Sequence, residues 1–470
     1  MNLKDTRRAL LEFWNEFRKD TSGLIGLGIL ALFVLVVIFE PVILPWKDVN
    51  RKWRNIDYWI DNSPAAPPAW TNLFAAEKKA VTTQLRAPGK AESDMDGGVG
   101  KILTLTFPYR FTADKAPLDL IFRATITGDV PMTFSVQRPD GTGIELVSHF
   151  EPGLANQGIR VTLNNEANAT TFAFVKDYVS EADLSSLNSG SLEPVTLIFA
   201  KGEPTMASKP MALKGDYKLI VKAMLIDPAT AVIADPHFVV SGAVSGVLGT
   251  DDMKRDIFSG LVAGIKWALL IGLMTSAISV FVGVLYGITS AYYGGVVDSA
   301  MQFIYQIVNS MPLLPVLIVV SAIFKPSIWF IVLVMVLFFW TGSFMTVRSM
   351  ALQIKEETYV EAARALGAKN SRIIFRHMMP ILIPYSFASM ALSVPSAIVY
   401  ESTVSLLGLG DATIVTWGQI LHDAMAGGAV LNGVWWWIIP PGLSIAITGM
   451  TFAFLGFAMD KILHPKLQTR

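Results

Sequence analysis

The sequence predicts a polytopic α-helical membrane protein with six transmembrane helices and an inserted, mostly antiparallel β domain outside the cytoplasm. Of the 470 residues, 52% are hydrophobic and only 16% are charged, and the mean hydropathy of +0.47 is well above that of soluble domains. Six mostly uncharged apolar stretches are long enough to cross a bilayer. Between the first two of them, about two hundred residues have the composition of a β-rich domain.

Composition also limits the classes of function. Basic and acidic residues number 38 each, so net charge does not indicate nucleic acid as a partner. The chain has no cysteine, and its five histidines lack partners at ligand spacing, so we expect no metal site and no disulfide. No Gly-x-x-x-x-Gly-Lys-Ser/Thr phosphate loop is present. We therefore expect neither an ATPase or other enzyme, nor a catalytic site, nor a cofactor bound by this chain.

The N-terminal region sets the expected orientation. Residues 1–22 are basic and amphipathic and are predicted to lie at the cytoplasmic membrane interface. The first transmembrane helix is predicted at 23–44. A cleaved signal peptide is the alternative for this stretch, but the apolar run is longer than a signal core and no small-x-small cleavage site follows. The basic arm places the next domain outside the cytoplasm.

An extracytoplasmic β-rich domain is predicted at 45–246. Short stretches in which apolar and polar residues alternate indicate strands, and Pro139-Asp140-Gly141 indicates a hairpin turn. Residues 63–100, rich in Pro, Ala and Gly, are predicted to be an irregular lead-in. The predicted strands are 102–107, 118–127, 132–137, 144–150, 195–200 and 217–224.

Residues 247–470 are predicted to form a five-helix transmembrane core. The resulting six spans place both termini in the cytoplasm, in agreement with the basic C-terminal tail. The five predicted spans are 266–292, 301–324, 328–347, 381–408 and 435–459.

The most informative stretch is the polar segment 355–380 between the fourth and fifth spans. Strong helix formers predict a helix over 355–366, and Gly367 follows at the position where helices favour a left-handed residue. A second short helix is predicted to end at Pro380. Five basic residues place this two-helix elbow in the cytoplasm.

The spacing within the elbow resembles the EAA loop of bacterial ABC-transporter membrane subunits. His377 and Met379 depart from that pattern, because the family has Ile and Leu there. The resemblance implies that the loop couples the membrane subunit to an ATPase subunit, with the small Ala362 and Ala363 seating the helix in a groove. The matching residues are Glu361, Ala362, Ala363, Gly367 and Pro380.

Other motifs narrow the resemblance to permease subunits of the dipeptide and oligopeptide C type. They include Leu248-Gly249-Thr250-Asp251 before the second span, Tyr292-Tyr293-Gly294-Gly295 with Asp298, and Arg348 before the elbow. Lys254 stands where that family has Gly, and the β domain is outside the pattern. The resemblance implies a second permease subunit as heterodimer partner, two ATP-binding-cassette ATPase subunits that hold ATP and Mg, and an extracytoplasmic solute-binding protein. It also implies a multi-pass protein of the bacterial cytoplasmic (inner) membrane.

Polar side chains within the spans are candidates for a translocation path, because they are costly in hydrocarbon. Gln302, Gln306 and Asn309 share one face of the third span, at steps of four and three residues. Hydrogen bonding between helices is the alternative role. Glu401, near the outer end of the fifth span, is a candidate for an external gate, for pairing with a partner subunit, or for a simple interfacial carboxylate.

These observations predict a membrane-spanning permease subunit of an ABC importer for peptides or similar small solutes. Such a subunit forms the translocation path and couples it to separate ATPase subunits. The alternative is a membrane-anchored extracytoplasmic ligand-binding sensor or scaffold protein. The elbow distinguishes them, since an anchor needs no rigid cytoplasmic knob. Nothing in the sequence selects the transported solute.

Overall fold

The computed structural model describes residues 13–95, 100–179 and 193–463. The first half of the predicted basic arm, and Lys466 and Arg470 of the basic tail, therefore lie outside the described residues. The chain divides into a membrane unit, Met1–Arg54 with Ser259–Arg470, and a β unit, Asn55–Phe258. Both boundaries of the β unit lie further along the chain than the predicted 45 and 246.

The membrane unit is built from helices, and the first two residues of its third helix belong to the β unit. A π-helical turn (Ile373–Met378) and a 3-10 turn (Trp435–Trp437) interrupt the series. The helices are α1 (Thr21–Ile43), α2 (Val49–Arg54), α3 (Ile257–Tyr293), α4 (Gly295–Ser310), α5 (Leu313–Ile323), α6 (Ile328–Phe339), α7 (Thr341–Lys355), α8 (Thr358–Ala365), α9 (Asn370–Arg372), α10 (Met379–Leu406), α11 (Trp417–Ala426) and α12 (Ile439–Leu463).

Five helical stretches among the described residues are long and apolar enough to cross a membrane, and a sixth crossing exists if the bent pair α4–α5 is one span. The prediction of one continuous third span over 301–324 is wrong, because α4 and α5 meet at an angle of 77°. Pro312 explains the break. It lacks a donor N–H, and it holds the preceding Met311 in an extended conformation with ψ of 127°.

Close backbone contacts hold α3 against α7. Gly283 and Gly287 are one helical turn apart on α3 and face α7. A Cβ on Gly283 would lie 2.5 Å from the carbonyl oxygen of Trp340, and one on Gly287 would lie 2.8 Å from Val347 Cγ1. Small residues at this spacing let two membrane helices approach closely.

Helix α1 is attached to the rest of the membrane unit at both ends. Asp20 caps its N-terminus by accepting a hydrogen bond from the Gly23 N–H at 2.9 Å. A Cβ on Gly26 would lie 2.8 Å from the carbonyl oxygen of Thr451 on α12. Near the other end, Glu40 pairs with Lys266 of α3 at 2.7 Å.

The β unit is a sandwich of two antiparallel sheets, with strand orders β1-β9-β4-β7 and β2-β3-β8-β5-β6. Short helices at Ile56–Trp59, Leu163–Glu166, Asn168–Lys176 and Pro194–Ile198, and a 3-10 turn at Ala69–Leu73, complete the unit. The strands are β1 (Thr83–Leu85), β2 (Gly89–Asp94), β3 (Lys101–Phe111), β4 (Asp119–Gly128), β5 (Met132–Gln137), β6 (Gly143–His149), β7 (Leu154–Thr162), β8 (Gly215–Leu225) and β9 (Val232–Ser241).

Five of the six predicted strands are present, and the predicted hairpin turn joins β5 to β6. The strand predicted at 195–200 is wrong. Pro194 begins a helix there, and the following residues are buried without alternation, so a buried helix produced the apolar run. The supposed lead-in, 63–100, contains β1 and β2. Strand β2 is exposed at every residue, and it therefore carries no apolar alternation that could have revealed it.

Candidate coupling elbow and solute path

Helix α8 is the first half of the elbow. The predicted start at Lys355 is wrong, because Lys355 is the last residue of α7 and α8 begins at Thr358. The chain turns at Glu356, whose N–H group bonds to the last carbonyls of α7. The elbow is therefore a separate short helix rather than an extension of the preceding one.

Gly367 ends this helix in the predicted left-handed conformation, with φ of +77°. The Gly367 N–H donates to the Arg364 carbonyl at 3.0 Å, and the Ala368 N–H donates to the Ala363 carbonyl at 3.1 Å. These two bonds form a Schellman motif. No neighbouring atom lies within 4 Å of the position that a Cβ would occupy, so glycine is required here by backbone conformation and not by lack of space.

The second half of the elbow does not end at Pro380, and that prediction is wrong. Helix α9 passes through the π-helical turn Ile373–Met378 into α10, so Asn370–Leu406 is one continuous membrane-length helix. Pro380 is the second residue of α10 and directly follows the π-helical turn, so the helix does not end there. Movement of the elbow is therefore connected directly to the fifth predicted span.

The two faces of α8 have different surroundings. Val360 and Ala363 are buried in a core with residues of α3, α7 and α10. Glu361 and Ala362 are exposed, and Leu366 at the end of the helix is 88% exposed. The expectation that Ala363 seats the elbow on a partner is wrong, because its small side chain packs against its own chain. Ala362 is a small residue on the outer face.

Tyr292, at the end of α3, attaches the elbow to the membrane unit. Its hydroxyl donates to Asn370 Oδ1 at 2.8 Å. The Arg364 guanidinium lies 5.6 Å from the centre of its ring, within the range of a cation–π contact. One aromatic side chain thus contacts both halves of the elbow.

Asp298, on the first turn of α4, is the centre of a polar cluster. Arg348 of α7 forms a two-pronged ion pair with it, with Nε–Oδ1 and Nη2–Oδ2 distances of 2.7 and 2.5 Å. Gln302 Nε2 donates to Oδ2 at 3.0 Å, and the Ser290 hydroxyl donates to Oδ1. Gln302 thus bonds within its own helix, to a carboxylate that in turn pairs with α7.

A cavity of about 480 Å³ opens where α4 breaks from α5, and Met311 and Pro312 form part of its wall. Irregular backbone at membrane depth is tolerated where it lines a water-filled cavity or is buried in protein. None of its described lining residues is acidic or basic. The polar side chains that line it are Asn309, Thr341, Ser393, Ser396 and Tyr400.

Of the four predicted path residues, Asn309 lines this cavity. Gln306 is exposed and does not line it. Glu401 is buried within the chain and accepts a hydrogen bond from Ser405 at 2.7 Å. The structure thus does not bring these four together. Sequence reasoning missed the serines and tyrosine of α10, although their spacing of three and four residues marks one helix face.

Membrane-length helices, a capped elbow and a polar cavity at a broken helix define a helical membrane transport subunit. Residues 260–469 match the family model of the binding-protein-dependent transport system inner membrane component. Residues 10–68 match the model of the N-terminal TM domain of oligopeptide transport permease C. Residues 69–259, most of the β unit, lie between the two matched ranges.

Known relatives agree with these models. The dipeptide transport system permease protein DppC of Bacillus subtilis (strain 168) is 35% identical over 221 residues, which cover 47% of this chain and 68% of DppC. The oligopeptide transport system permease protein OppC of the same organism is 33% identical over 221 residues, covering 47% of this chain and 72% of OppC. A solved structure of the MetNI methionine ABC transporter aligns with 45% of this chain and 97% of its own, at 17% identity and a TM-score of 0.32.

The chain belongs to the DppC/OppC-like family of ABC-transporter permease subunits, as its motifs predicted. It is a permease subunit of an ABC importer and a multi-pass membrane protein. The alternative, an anchored sensor or scaffold, is not supported.

Proposed function

We propose that this chain is one of two permease subunits of a peptide importer, that its elbow binds an ATPase subunit, and that the cavity beside Asn309 is its share of the translocation path. The second permease is a different chain, two ATPase subunits supply ATP hydrolysis with Mg, and an extracytoplasmic binding protein delivers the solute. The host membrane is the bacterial inner membrane.

The observation that carries this proposal is the two-faced elbow. Its inner face packs into the core of the membrane unit, and its outer face presents Glu361, Ala362 and the protruding Leu366. The inner face is occupied by the chain's own core, so the outer face is the one that a partner subunit can contact. Because α8 is fixed to the core, force applied at its outer face would reach the membrane helices.

Peptides are the proposed solutes for two reasons. The relatives described above are named for the transport of dipeptides and oligopeptides. In addition, the cavity presents amide and hydroxyl groups without charge, a lining that can hydrogen-bond peptide backbone and does not select on the charge of side chains. Mass spectrometry of the ligand that co-purifies with the binding protein would identify the solute.

The proposed topology has six spans, with α4–α5 counted as one, and places the β unit outside the cytoplasm. Labelling single cysteines in this cysteine-free chain tests it, since Ser148 and Ser371 are both exposed. An impermeant maleimide added from outside should label Ser148→Cys and should not label Ser371→Cys. The opposite pattern would exclude this orientation.

The elbow is tested by a pair of variants on its two faces. Ala362→Phe places bulk on the outer face and should abolish binding of the ATPase subunit while the membrane subunits remain assembled. Ala363→Phe places the same bulk in the core beside Val360 and should instead lower the yield of folded protein. Co-purification of the ATPase subunit with Ala362→Phe at the normal ratio, with normal uptake, would show that this face is not the binding site.

A further inference from the structure

Two helices of the membrane unit extend from the elbow to the cavity, and one ion pair connects them. Helix α7 begins with Thr341 at the cavity and ends at Lys355, just before the elbow. Helix α4 carries Asp298 at its start and Asn309 at the cavity, about 16 Å further along at 1.5 Å per residue. The Asp298–Arg348 pair joins the first turn of α4 to the middle of α7.

We propose that Asp298 and Arg348 form an ionic latch that makes α4 move with the elbow, so that ATP-driven motion reaches the broken helix in the cavity wall. This inference rests on the proposed coupling function of the elbow. Asp298 and Arg348 are both positioning residues, since neither lines the cavity.

The elbow and α7 already form one packed body. Val347 and Ala351 of α7 share a buried core with Val360 and Ala363 of α8. Helix α4 has no buried residue along its length, so a shared apolar core does not attach it to this body. Its attachment depends instead on the polar cluster and on aromatic contacts such as Tyr305 with Phe344, whose ring centres are 4.8 Å apart.

The geometry suits a latch that stays closed during movement. The side chains of Arg348 and Asp298 are only 20% and 14% exposed. A bidentate pair of a guanidinium and a carboxylate fixes orientation as well as distance. Ser290 and Gln302 donate to the remaining acceptor positions of Asp298, so the carboxylate is held from α3, α4 and α7 together.

The test measures the accessibility of a residue in the cavity wall and does not require the solute. Met311→Cys is the only thiol in this chain when introduced, and Met311 lines the cavity. In the complex with its ATPase subunits, the rate of maleimide labelling at Met311→Cys should change when ATP with vanadate is added. Asp298→Asn or Arg348→Gln should reduce that nucleotide-induced change about two- to thirtyfold, the range found for coupling networks.

Two controls separate a latch from a general loss of stability. Glu40→Gln breaks another partly buried ion pair of the membrane unit, with Lys266, and should leave the nucleotide-induced change intact. Arg348→Lys keeps the charge without the fork and should retain more of the change than Arg348→Gln. If Glu40→Gln reduces the change as much as Asp298→Asn does, or if the neutral variants respond fully in assembled complexes, the latch is wrong.

Ala362→Phe in the same assay distinguishes this inference from the proposed function. If it abolishes the response while the Asp298 and Arg348 variants keep it, the elbow couples and only the latch is refuted. If the parent protein shows no nucleotide response, or if Ala362→Phe responds normally, the coupling function of the elbow fails, and the latch fails with it.

Discussion

Each of the two units is stabilised internally by a different kind of residue: small residues where α3 and α7 meet in the membrane unit, and large aromatic side chains in the core of the β unit. In the membrane unit, α3 meets α7 at Gly283 and Gly287, where even one added carbon would clash. In the β unit, large aromatic rings fill the space between the sheets. Phe238 lies 5.1 Å from Phe107 and 5.2 Å from Phe122, measured between ring centres, and all three are buried.

The difference follows from the solvent around each unit. In water, each Å² of apolar surface that an aromatic side chain buries stabilises the fold by roughly 25 cal/mol, so large side chains stabilise the β unit most. In a bilayer the surrounding lipid is equally apolar, and this gain disappears. Helices there gain stability from close backbone approach and from polar pairs such as Asp298–Arg348. The contact between α3 and α7 should therefore be most sensitive to added side-chain volume, and the core of the β unit to its removal.

The largest expected effect is that of Gly283→Leu. The new side chain would overlap the Trp340 carbonyl and separate α3 from α7, and we expect almost no folded protein by size-exclusion chromatography after membrane extraction. Gly28→Leu on α1 is the matched control, because nothing lies within 4 Å of its Cβ position, and it should behave like the parent. Equal yields of the two variants would disprove the close-packing account.

Phe238→Ala should have the next largest effect. Removing this buried ring is expected to cost about 3–5 kcal/mol in the free energy of unfolding of the β unit. Hydrogen exchange of β-unit peptides in the intact chain would measure it. The control is Phe150→Ala in the same unit, where the ring is half exposed and the loss should be under about 1 kcal/mol. Similar exchange in the two variants would contradict a core built on these rings.

A smaller effect concerns pH. Burial raises the pKa of Asp119 from 3.8 to about 6, against the opposing effect of the Asn164 and Leu120 N–H groups. Because the folded state binds the Asp119 proton more tightly than the unfolded state does, protonation of Asp119 stabilises the fold. This contribution to the free energy of unfolding is complete below about pH 4 and is lost as pH rises to about 6. The Asp119→Asn side chain cannot titrate. Between pH 4 and 7, the free energy of unfolding of its β unit should therefore fall by up to about 3 kcal/mol less than that of the parent. Identical hydrogen-exchange profiles against pH in parent and variant would exclude this role.

Gly367→Ala should have the smallest effect, about 1 kcal/mol, because the Cβ has space and only the left-handed backbone opposes it. Gly367→Asn should cost less, since Asn tolerates this conformation, and Gly367→Val should cost more. Binding of the ATPase subunit should weaken least with Gly367→Asn, more with Gly367→Ala and most with Gly367→Val. A loss that follows side-chain volume alone, with Asn worse than Ala, would indicate contact with a partner instead.

Local signals in the sequence determined much of the elbow and of the fold. A run of strong helix formers before Gly367 predicted both the helix and its left-handed end, because capping depends on a few neighbouring residues. Apolar stretches located the membrane-length helices, apart from the broken pair α4–α5, and alternation located most strands. The family motifs determined the class of protein, since their spacing recurs in known permeases.

Only the tertiary structure decided which side chains meet. Sequence reasoning gave Ala363, with Ala362, the role of seating the elbow in a groove, although packing against α3 and α7 buries Ala363. Asp298 and Arg348 were recognised as separate motifs, but their ion pair joins residues fifty positions apart, a contact that no local pattern records. The cavity gathers polar groups from α4, α7 and α10, and Pro380 continues a helix that its residue type alone would end. Such features depend on long-range packing, whereas the sequence read locally reports only the preferences of each segment.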